Sequence, residues 1–403
     1  MKNLEVKIEK LDHFGRGISK EFDRPIFVSN ALPNEVVEIK IVKEKKNLIE
    51  GEVINYLEES SDRVKPLCPY YNECGGCDIM HLNYQNQLKY KENKVKEILK
   101  KFADFDNVNN IVGSTQYNYR NKITLQVNKK LGYYKKKSND IIKINECLLA
   151  SNKINEIIHS LNKIDLDNIN QIVIRTTDNE SMIVFYTNKD INIDINSLDV
   201  TDIVLINNKK RKILKGKGYI VDNINGIKFV ISPTSFFQVN NVGMINLYNK
   251  VLEYGNFNEN DNVLDLYCGT GTIGIYVAKS CGKVIGVEIN DEAVKDAFVN
   301  KEINNIDNID FKVGDVGKIL KENNFKPTAI IVDPPRAGLD KLTIDKIIEL
   351  KPNKLIYVSC DPVTLARDLN ILKSVYDIIE ITPVDMFANT YHVENVCLLK
   401  LKH

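Results

Sequence analysis

The chain has 403 residues, more than one small core can organise, and this length predicts two or three domains. Hydrophobic residues make up 43% and charged residues 27%, as in ordinary soluble globular proteins. The net charge of +1 excludes a global basic field, so affinity for nucleic acid must come from local basic patches.

The start of the chain carries scattered charges and no apolar run, which argues against a secretory signal or a membrane anchor. No later segment approaches about 18 uninterrupted apolar residues, so we expect a cytoplasmic protein without a membrane partner. Eight cysteines in such a chain favour metal ligation, catalysis or burial over a disulfide framework. We also expect a monomer.

Residues 1–57 alternate between short strand-like runs and Gly, Pro, Asn or Asp turns, which predicts a small OB-like β-barrel that binds oligonucleotides. The pattern of residues 58–225 predicts a central α+β domain. This domain contains a cysteine-containing loop and a Lys-rich amphipathic helix over NQLKYKENKVKEILKKF. A basic run from Lys209 to Lys217 is either a solvated hairpin tip or a phosphate contact.

Residues 226–403 alternate regularly between strands and helices, which predicts an α/β, Rossmann-like domain with a parallel sheet. In open sheets of this kind, ligands bind beyond the carboxyl ends of the strands. The residues that end the predicted strands are therefore candidates together. They are Asp265, Glu288, Asp315, Asp333 and Cys360.

A glycine-rich turn, DLYCGTGTIG, runs from Asp265 to Gly274 and lets the backbone approach a ligand closely. Glu288 follows at the end of the next strand, where a carboxylate can accept hydrogen bonds from both ribose hydroxyls. The turn lacks the full G-x-G-x-x-G, so a phosphate-free nucleoside such as S-adenosylmethionine fits better than NAD. Asp315 lies where an acidic residue approaches adenine, although Asp265 and Asp315 could instead be helix caps or turn formers.

Cys360 ends a strand in KLIYVSCDPVTLARDL, and Asp361 and Pro362 after it predict the start of a helix. The positive end of that helix is expected to favour the thiolate, which makes Cys360 a candidate nucleophile. The remaining cysteines outside the N-terminal half are interpreted as buried and structural. They are Cys268, Cys281 and Cys397.

Methylation of a pyrimidine ring carbon needs such a nucleophile. Carbon 5 of uracil attacks a sulfonium methyl only after a thiolate has added at carbon 6 and made the ring an enolate. The proton on carbon 5 must then leave, which requires a general base. Glu394, in the apolar strand YHVENVCLLK, is the candidate, because a carboxylate there is costly unless it is used or paired.

The segment VDPPRAG, from Asp333 to Gly338, ends the fourth predicted strand, and its two prolines hold Asp333 and Arg336 beside Cys360. Enzymes that methylate exocyclic amines have a similar D/N-P-P followed by an aromatic residue. Arg336 in that position, with a cysteine one strand away, indicates ring-carbon chemistry instead.

Five motifs in order, SFFQVN, DLYCGTGTIG, VDPPRAGLD, VSCDPVTLARDL and HVENV, resemble those of the RNA 5-methyluridine methyltransferases over essentially the whole chain. The resemblance implies that S-adenosylmethionine is the cofactor, Cys360 the nucleophile and Glu394 the base. Related 5-methylcytosine enzymes carry the nucleophile in a P-C motif where this chain has Pro-Pro, so uridine is favoured. The implied cofactor contacts are Gln238, Tyr267, Thr272, Glu288, Asp315 and Asp333.

Residues 1–57 look like a TRAM domain, which the ribosomal-RNA members have and the tRNA-specific bacterial enzyme lacks. We therefore expect 23S rRNA as the RNA partner, with tRNA as the alternative. A catalytically idle RNA-binding protein is a third hypothesis, which the intact Cys360, Glu394 and Glu288 disfavour. One departure from the family is Ala388, where many members have Pro, and it is expected to leave the loop before Glu394 less rigid.

Cysteines near the start of the central domain form C-x5-C-x2-C, and a fourth lies far along the chain, as in the family's cluster-bearing members. Four thiolates with one distant ligand suit a [4Fe–4S] cluster, and tetrahedral zinc is the rival. Because methyl transfer needs no redox step, the expected role is to clamp the loop and contact RNA. The four are Cys68, Cys74, Cys77 and Cys147.

Overall fold

The N-terminal strands of the computed structural model form a barrel. The structure describes residues 3–189, 191, 193–322 and 325–403. The barrel strands, in sheet order, are β1 (Asn3–Lys7), β5 (Val36–Lys45), β6 (Leu48–Glu58), β4 (Ile26–Ser29), β3 (Gly17–Ser19) and β2 (Lys10–Leu11). Because β1 and β2 follow each other in the chain and occupy the two ends of this order, the sheet closes on itself. The predicted barrel is therefore confirmed.

A second sheet occupies the middle of the chain. Its strands, in order, are β13 (Lys210–Lys215), β12 (Asp202–Asn207), β11 (Ser181–Thr187), β10 (Ile169–Thr176), β7 (Lys122–Val127), β8 (Leu131–Tyr134) and β9 (Ile141–Lys143). Helix α2 (Asn152–Leu161) packs on β10, and a 3-10 turn spans Ile195–Ser197. The basic run begins in the turn before the exposed edge strand β13, continues along it, and ends at Lys217 after the strand. The run therefore lies on a hairpin, and a phosphate contact stays a prediction.

The Lys-rich helix α1 (Tyr84–Ala103) covers the predicted helical segment and packs outside the central sheet. Its apolar side, including Val95 and Leu99, joins the hydrophobic core of the C-terminal sheet. Part of the range predicted as the central domain therefore packs with the C-terminal domain. None of the described helices combines the length and apolarity that crossing a membrane requires.

The C-terminal sheet has the strand order β18 (Ile309–Val313), β17 (Lys283–Glu288), β16 (Asn262–Leu266), β19 (Ala329–Val332), β20 (Lys354–Ser359), β22 (Glu394–Leu401) and β21 (Tyr376–Val384). Strand β22 is antiparallel to both neighbours, and the pairs from β18 to β20 are parallel. The order reverses between β16 and β19, which is where ligands bind in open α/β sheets.

The remaining elements surround this sheet. A hairpin, β14 (Ile220–Ile224) and β15 (Ile227–Ile231), joins it to the central domain. The helices are α3 (Asn241–Gly255), α4 (Thr272–Ala278), α5 (Asp291–Ile303), α6 (Val316–Glu322), α7 (Lys341–Leu350) and α8 (Pro362–Leu372). The predicted alternation of strands and helices is confirmed.

Candidate active site

The carboxyl edge of the C-terminal sheet gathers the residues that the sequence singled out. Glu288 ends β17, Asp333 directly follows β19, and Cys360 directly follows β20. Glu394 begins β22, and because this strand is antiparallel to β20 its first residue reaches the same edge. Parallel strands with one reversed neighbour thus bring the candidate nucleophile and the candidate base to one place.

Cys360 and Glu394 lie opposite each other at the end of the β20–β22 ladder. Ser359 pairs with Asn395, so the next residue of each strand is Cys360 on one side and Glu394 on the other. Both side chains are half-buried. A base placed across a single strand pair from a thiol can act on the same substrate ring.

The helix after Cys360 begins as the sequence predicted. The Oδ1 atom of Asp361 accepts hydrogen bonds from the backbone N–H groups of Val363 (2.8 Å) and Thr364 (3.1 Å), and Pro362 is the first helical residue. This cap satisfies two of the N–H groups that a helix start leaves without partners. The predicted cap and helix start are confirmed.

The predicted preference for the thiolate is wrong for the protein without substrate. Burial, with the nearby carboxylates of Glu394 and Asp333 adding to its effect and the charge of Arg336 opposing it, raises the pKa of Cys360 to about 12. Desolvation and two acidic neighbours outweigh the helix end, whose field is weak beyond the first turn. A nucleophilic role for Cys360 would therefore require a base at the site that takes the thiol proton.

Two carboxyl groups beside the thiol can hold a proton near neutral pH. Burial, with the charge of Asp333 adding to it, raises the pKa of Glu394 to about 8, while Arg336 opposes this. Burial alone raises the pKa of Asp333 to about 7. Groups with such pKa values near working pH are suited to proton transfer.

The glycine-rich turn is clasped by Glu288. One carboxylate oxygen accepts from the backbone N–H of Gly269 (3.1 Å) and the other from that of Asn290 (2.8 Å). Gly269 has φ +55°, and a Cβ built on it would meet nothing within 4 Å. The Glu288 carboxylate therefore holds the turn, and the free space at Gly269 lets a ligand approach the backbone, as a ligand cradle requires.

The two other turn residues predicted as cofactor contacts have definite partners. Tyr267 adopts φ +63°, and its hydroxyl lies 3.3 Å from an Asp340 carboxylate oxygen. Thr272 is the first residue of α4, and its hydroxyl oxygen accepts a hydrogen bond from the Tyr248 hydroxyl (2.8 Å). Both residues are half-buried.

Asp265 lies beneath the turn and is completely buried. Its Oδ2 accepts from the backbone N–H of Gly274 (2.8 Å), so the turn-forming role is real. Its Oδ1 has no hydrogen-bond partner among the described residues. Burial, with smaller effects from Asp333 and Glu288, raises the pKa of Asp265 to about 8.

Asp315 follows strand β18, and Gln238 lies between β15 and α3. Asp315 is exposed, and its Oδ1 accepts from the backbone N–H of Lys318 (3.1 Å) in the first turn of α6, which is a capping contact. Gln238 is half-buried, and its backbone carbonyl accepts from the Asn121 side chain (3.2 Å) of the central domain.

The four predicted ligand cysteines line one cavity of about 70 Å³, together with Tyr71, Arg120 and Tyr133. Burial raises the pKa of Cys68, Cys74 and Cys77. Within the part of the chain that the structure describes, no three His, Cys, Asp or Glu side chains are grouped closely enough to hold a single metal ion. The prediction that Cys268, Cys281 and Cys397 are buried is confirmed.

The loop before Glu394 is firmly held despite Ala388. The Ala388 carbonyl accepts from the Tyr119 hydroxyl (3.1 Å), and the Asn389 carbonyl accepts from the backbone N–H groups of Asp78 (3.0 Å) and Ile79 (3.1 Å). The expected loss of rigidity is thus offset by contacts from other segments. The cysteine-containing loop that carries Asp78 is one of those segments.

The sequence pattern of the tRNA (uracil-5-)-methyltransferase family matches residues 83–313 and 316–402, and that of the TRAM domain matches residues 2–54. The chain belongs to the tRNA (uracil-5-)-methyltransferase family. The barrel is accordingly its TRAM domain, and the C-terminal sheet its methyltransferase fold.

Proteins named as RNA methyltransferases match almost the whole chain. An uncharacterized RNA methyltransferase of Clostridium tetani is 38% identical over 96% of this chain and 93% of its own. One of Staphylococcus aureus is 37% identical over 97% of this chain and 96% of its own. The crystal structure of Pyrococcus abyssi tRNA (uracil-54, C5)-methyltransferase in complex with S-adenosyl-L-homocysteine matches with a TM-score of 0.83 at 31% identity, covering 98% of this chain and 99% of that one.

Sequence reasoning missed a residue that supports the site of this family member. Lys91 is completely buried and forms an ion pair with Asp385 in the segment that leads to Glu394. The signal was present, because Gln87, Lys91 and Val95 recur at four-residue spacing on the buried stripe of α1. A lysine on that stripe needs an acidic partner. Because α1 contains many lysines, Lys91 did not stand out among them.

Proposed function

We propose that this protein methylates carbon 5 of a uridine in RNA, using S-adenosylmethionine and a covalent adduct at Cys360. The observation that carries the proposal is the placement of Cys360 opposite Glu394 at the edge of the sheet, beside the open glycine-rich turn. Family membership supports the reaction type. We further propose that the protein acts as a cytoplasmic monomer.

In the proposed reaction, residues of the chain transfer the protons and activate the uracil ring. S-adenosylmethionine supplies an electrophilic methyl group when bound. The Cys360 sulfur adds to carbon 6 as its proton passes to a nearby carboxylate, and carbon 5 becomes nucleophilic. After methyl transfer, Glu394 removes the proton from carbon 5, and the ring expels the Cys360 thiolate.

The proposed cofactor contacts remain those that the family resemblance implies. The free space above Gly269 supports them, as does the bound S-adenosyl-L-homocysteine of the similar Pyrococcus abyssi enzyme. The capping contact of Asp315 does not conflict with this role, because a carboxylate can accept several hydrogen bonds. They are Gln238, Tyr267, Thr272, Glu288, Asp315 and Asp333.

A groove of about 650 Å³ supports RNA binding by residues 1–57 together with the central domain. Phe14 and Arg16 of the barrel, the basic segment 135–137 and Tyr391 line it. Phe14 is 56% exposed and its ring centroid lies 5.5 Å from that of Tyr391. Basic side chains beside exposed rings suit a single strand, because bases stack on rings and phosphates pair with cations.

We propose 23S rRNA as the substrate and keep tRNA as a second candidate. The TRAM domain supports 23S rRNA, because the family resemblance associates this domain with the ribosomal-RNA members. The similar Pyrococcus abyssi enzyme is a tRNA (uracil-54, C5)-methyltransferase that covers 98% of this chain, so the barrel alone does not separate the two substrates.

We propose a [4Fe–4S] cluster for the cysteine cavity and keep zinc as the rival. Tetrahedral zinc draws four ligands to about 2.3 Å from one ion, whereas a cubane separates its thiolates more widely. Cys68, Cys74, Cys77 and Cys147 share one cavity without forming a group for a single ion. We propose that they hold the cluster and clamp the loop that contacts Asn389.

Mass-spectrometric mapping tests this function and its substrate together. Ribosomal RNA and tRNA from a deletion strain are compared with those of the parent and of a strain complemented with the wild-type gene. We expect one or more 5-methyluridines of 23S rRNA to disappear and to return on complementation. Loss of 5-methyluridine only from tRNA would show that tRNA, and not 23S rRNA, is the substrate. Unchanged 5-methyluridine in both RNAs would contradict the proposed function.

A further inference from the structure

Arg120, which is half-buried, brings a positive charge to the wall of the cysteine cavity. It lines this cavity with the four cysteines. Its Nε is buried without a hydrogen-bond partner, and among the described residues its guanidinium forms no ion pair. A guanidinium whose Nε is buried without an anion beside it is costly, and a nearby negative charge would lower that cost.

The backbone fixes Arg120 beside this cavity. Its N–H donates to the Leu149 carbonyl (2.7 Å), and its carbonyl accepts from the Ser151 N–H (2.9 Å), so it is tied to the segment that carries Cys147. The guanidinium carbon also lies 5.9 Å from the centroid of the Phe387 ring. The charge is therefore built into the fold and is not a mobile surface group.

The groups that face Arg120 offer no permanent negative charge. Tyr119, Tyr133 and Cys147 are the ionisable side chains that act on it most. The two tyrosine hydroxyls are neutral hydrogen-bonding groups and do not form ion pairs with the guanidinium. Glu146 also lines the cavity, but its side chain is exposed. Of the side chains that line the cavity, the four cysteines remain, and as thiolates they would supply the negative charge.

We propose that Arg120 is the counter-cation of the cysteine cavity and that it raises the reduction potential of the iron–sulfur cluster bound there. This inference rests on the proposed cluster. A positive charge next to the cluster stabilises the reduced, more negative form over the oxidised one. It also stabilises the thiolates that bind iron.

The test is a redox titration, monitored by electron paramagnetic resonance, of anaerobically reconstituted full-length protein. Arg120→Met removes the charge and keeps a long side chain, Arg120→Lys keeps the charge, and Arg211→Met on the exposed strand β13 is the matched control. We expect a more negative midpoint potential for Arg120→Met and nearly wild-type potentials for the other two variants. Circular dichroism verifies that each variant is folded.

An unchanged midpoint potential in iron-loaded Arg120→Met would overturn the role of Arg120 and leave the cluster assignment intact. Wild-type protein that takes up no cluster would overturn both. If Arg120→Met loses its iron, retention is compared between Arg120→Lys and Arg120→Gln. Retention by the lysine variant alone supports the proposal, and equal loss by both contradicts it.

Discussion

Lys91 and Asp385 form an ion pair in the protein interior, with 2.6 Å between Nζ and Oδ1 and both side chains completely buried. The Nζ also donates to the Phe387 carbonyl (3.0 Å), and Oδ2 of Asp385 accepts from the Tyr84 hydroxyl (2.9 Å). Helix α1 thus anchors the start of the segment that leads to Glu394.

Replacing Lys91 by Met should both destabilise the protein and disturb this segment. The change leaves the Asp385 carboxylate buried without its cation, which costs about 3–5 kcal/mol in comparable cases. Urea unfolding measures the loss. Lys89→Met, on the exposed side of the same helix, is the control and should be neutral. Equal effects of the two substitutions would show that the pair does not stabilise the fold.

Unfolding free energy should fall as pH rises across the neutral range. Folding raises the pKa of Asp265 to about 8 and of Asp333 to about 7, so the folded protein holds these protons more tightly than the unfolded chain. This stabilisation is complete below about pH 4 and is lost as pH rises through about 7–8. Asp265→Asn should flatten part of the decline in chemical denaturation between pH 5 and 9, whereas the exposed Asp307→Asn should not. An unchanged slope in Asp265→Asn would contradict the assignment.

Anaerobically purified protein should be brown, with broad absorbance near 400 nm. Cys68→Ser or Cys147→Ser should abolish the colour, because each removes one thiolate from the cavity. Cys281→Ser, at a buried site away from the cavity, is the control and should keep the colour. Colourless wild-type protein with stoichiometric zinc would contradict the cluster.

RNA affinity should depend on the groove and not on the exposed hairpin. Lys137 lines the groove, whereas Lys212 lies in the basic run on β13. Lys137→Ala should weaken binding and lower the slope of log affinity against log salt by about one, as expected for one lost phosphate contact. Lys212→Ala should leave both unchanged. Fluorescence anisotropy with an RNA fragment at several salt concentrations measures the affinity and its salt dependence. Weaker binding by Lys212→Ala with unchanged binding by Lys137→Ala would place the RNA on the hairpin.

Local patterns predicted the architecture well because each element obeys its own periodicity. Asp361 and Pro362 mark the start of α8, and the alternation of strands and helices after residue 226 gives the parallel sheet. The packing of α1 against the C-terminal core could not be predicted in this way, because an amphipathic pattern shows that one side is buried but not against which partner.

The electrostatics of the site were harder to predict than its residues. The sequence placed Cys360 at a helix start, but the acidic residues that raise its pKa come from two other strands. Their distance from the thiol depends on the order of strands in the sheet, which no local pattern states. Arg120 escaped notice for the same reason, because its neighbours Cys147 and Phe387 are distant in sequence.

Cys360 and Glu394 have separate roles in the proposed reaction, and covalent trapping tests this separation most directly. Wild-type, Cys360→Ala and Glu394→Gln proteins are incubated with RNA and methyl-labelled S-adenosylmethionine and then separated by denaturing electrophoresis. Glu394→Gln should accumulate a protein–RNA adduct that carries the label, because the proton on carbon 5 stays and the ring cannot expel the thiolate. Cys360→Ala should form no adduct and transfer no methyl group, while it still binds RNA. Normal turnover by Glu394→Gln, or an adduct formed by Cys360→Ala, would contradict the account.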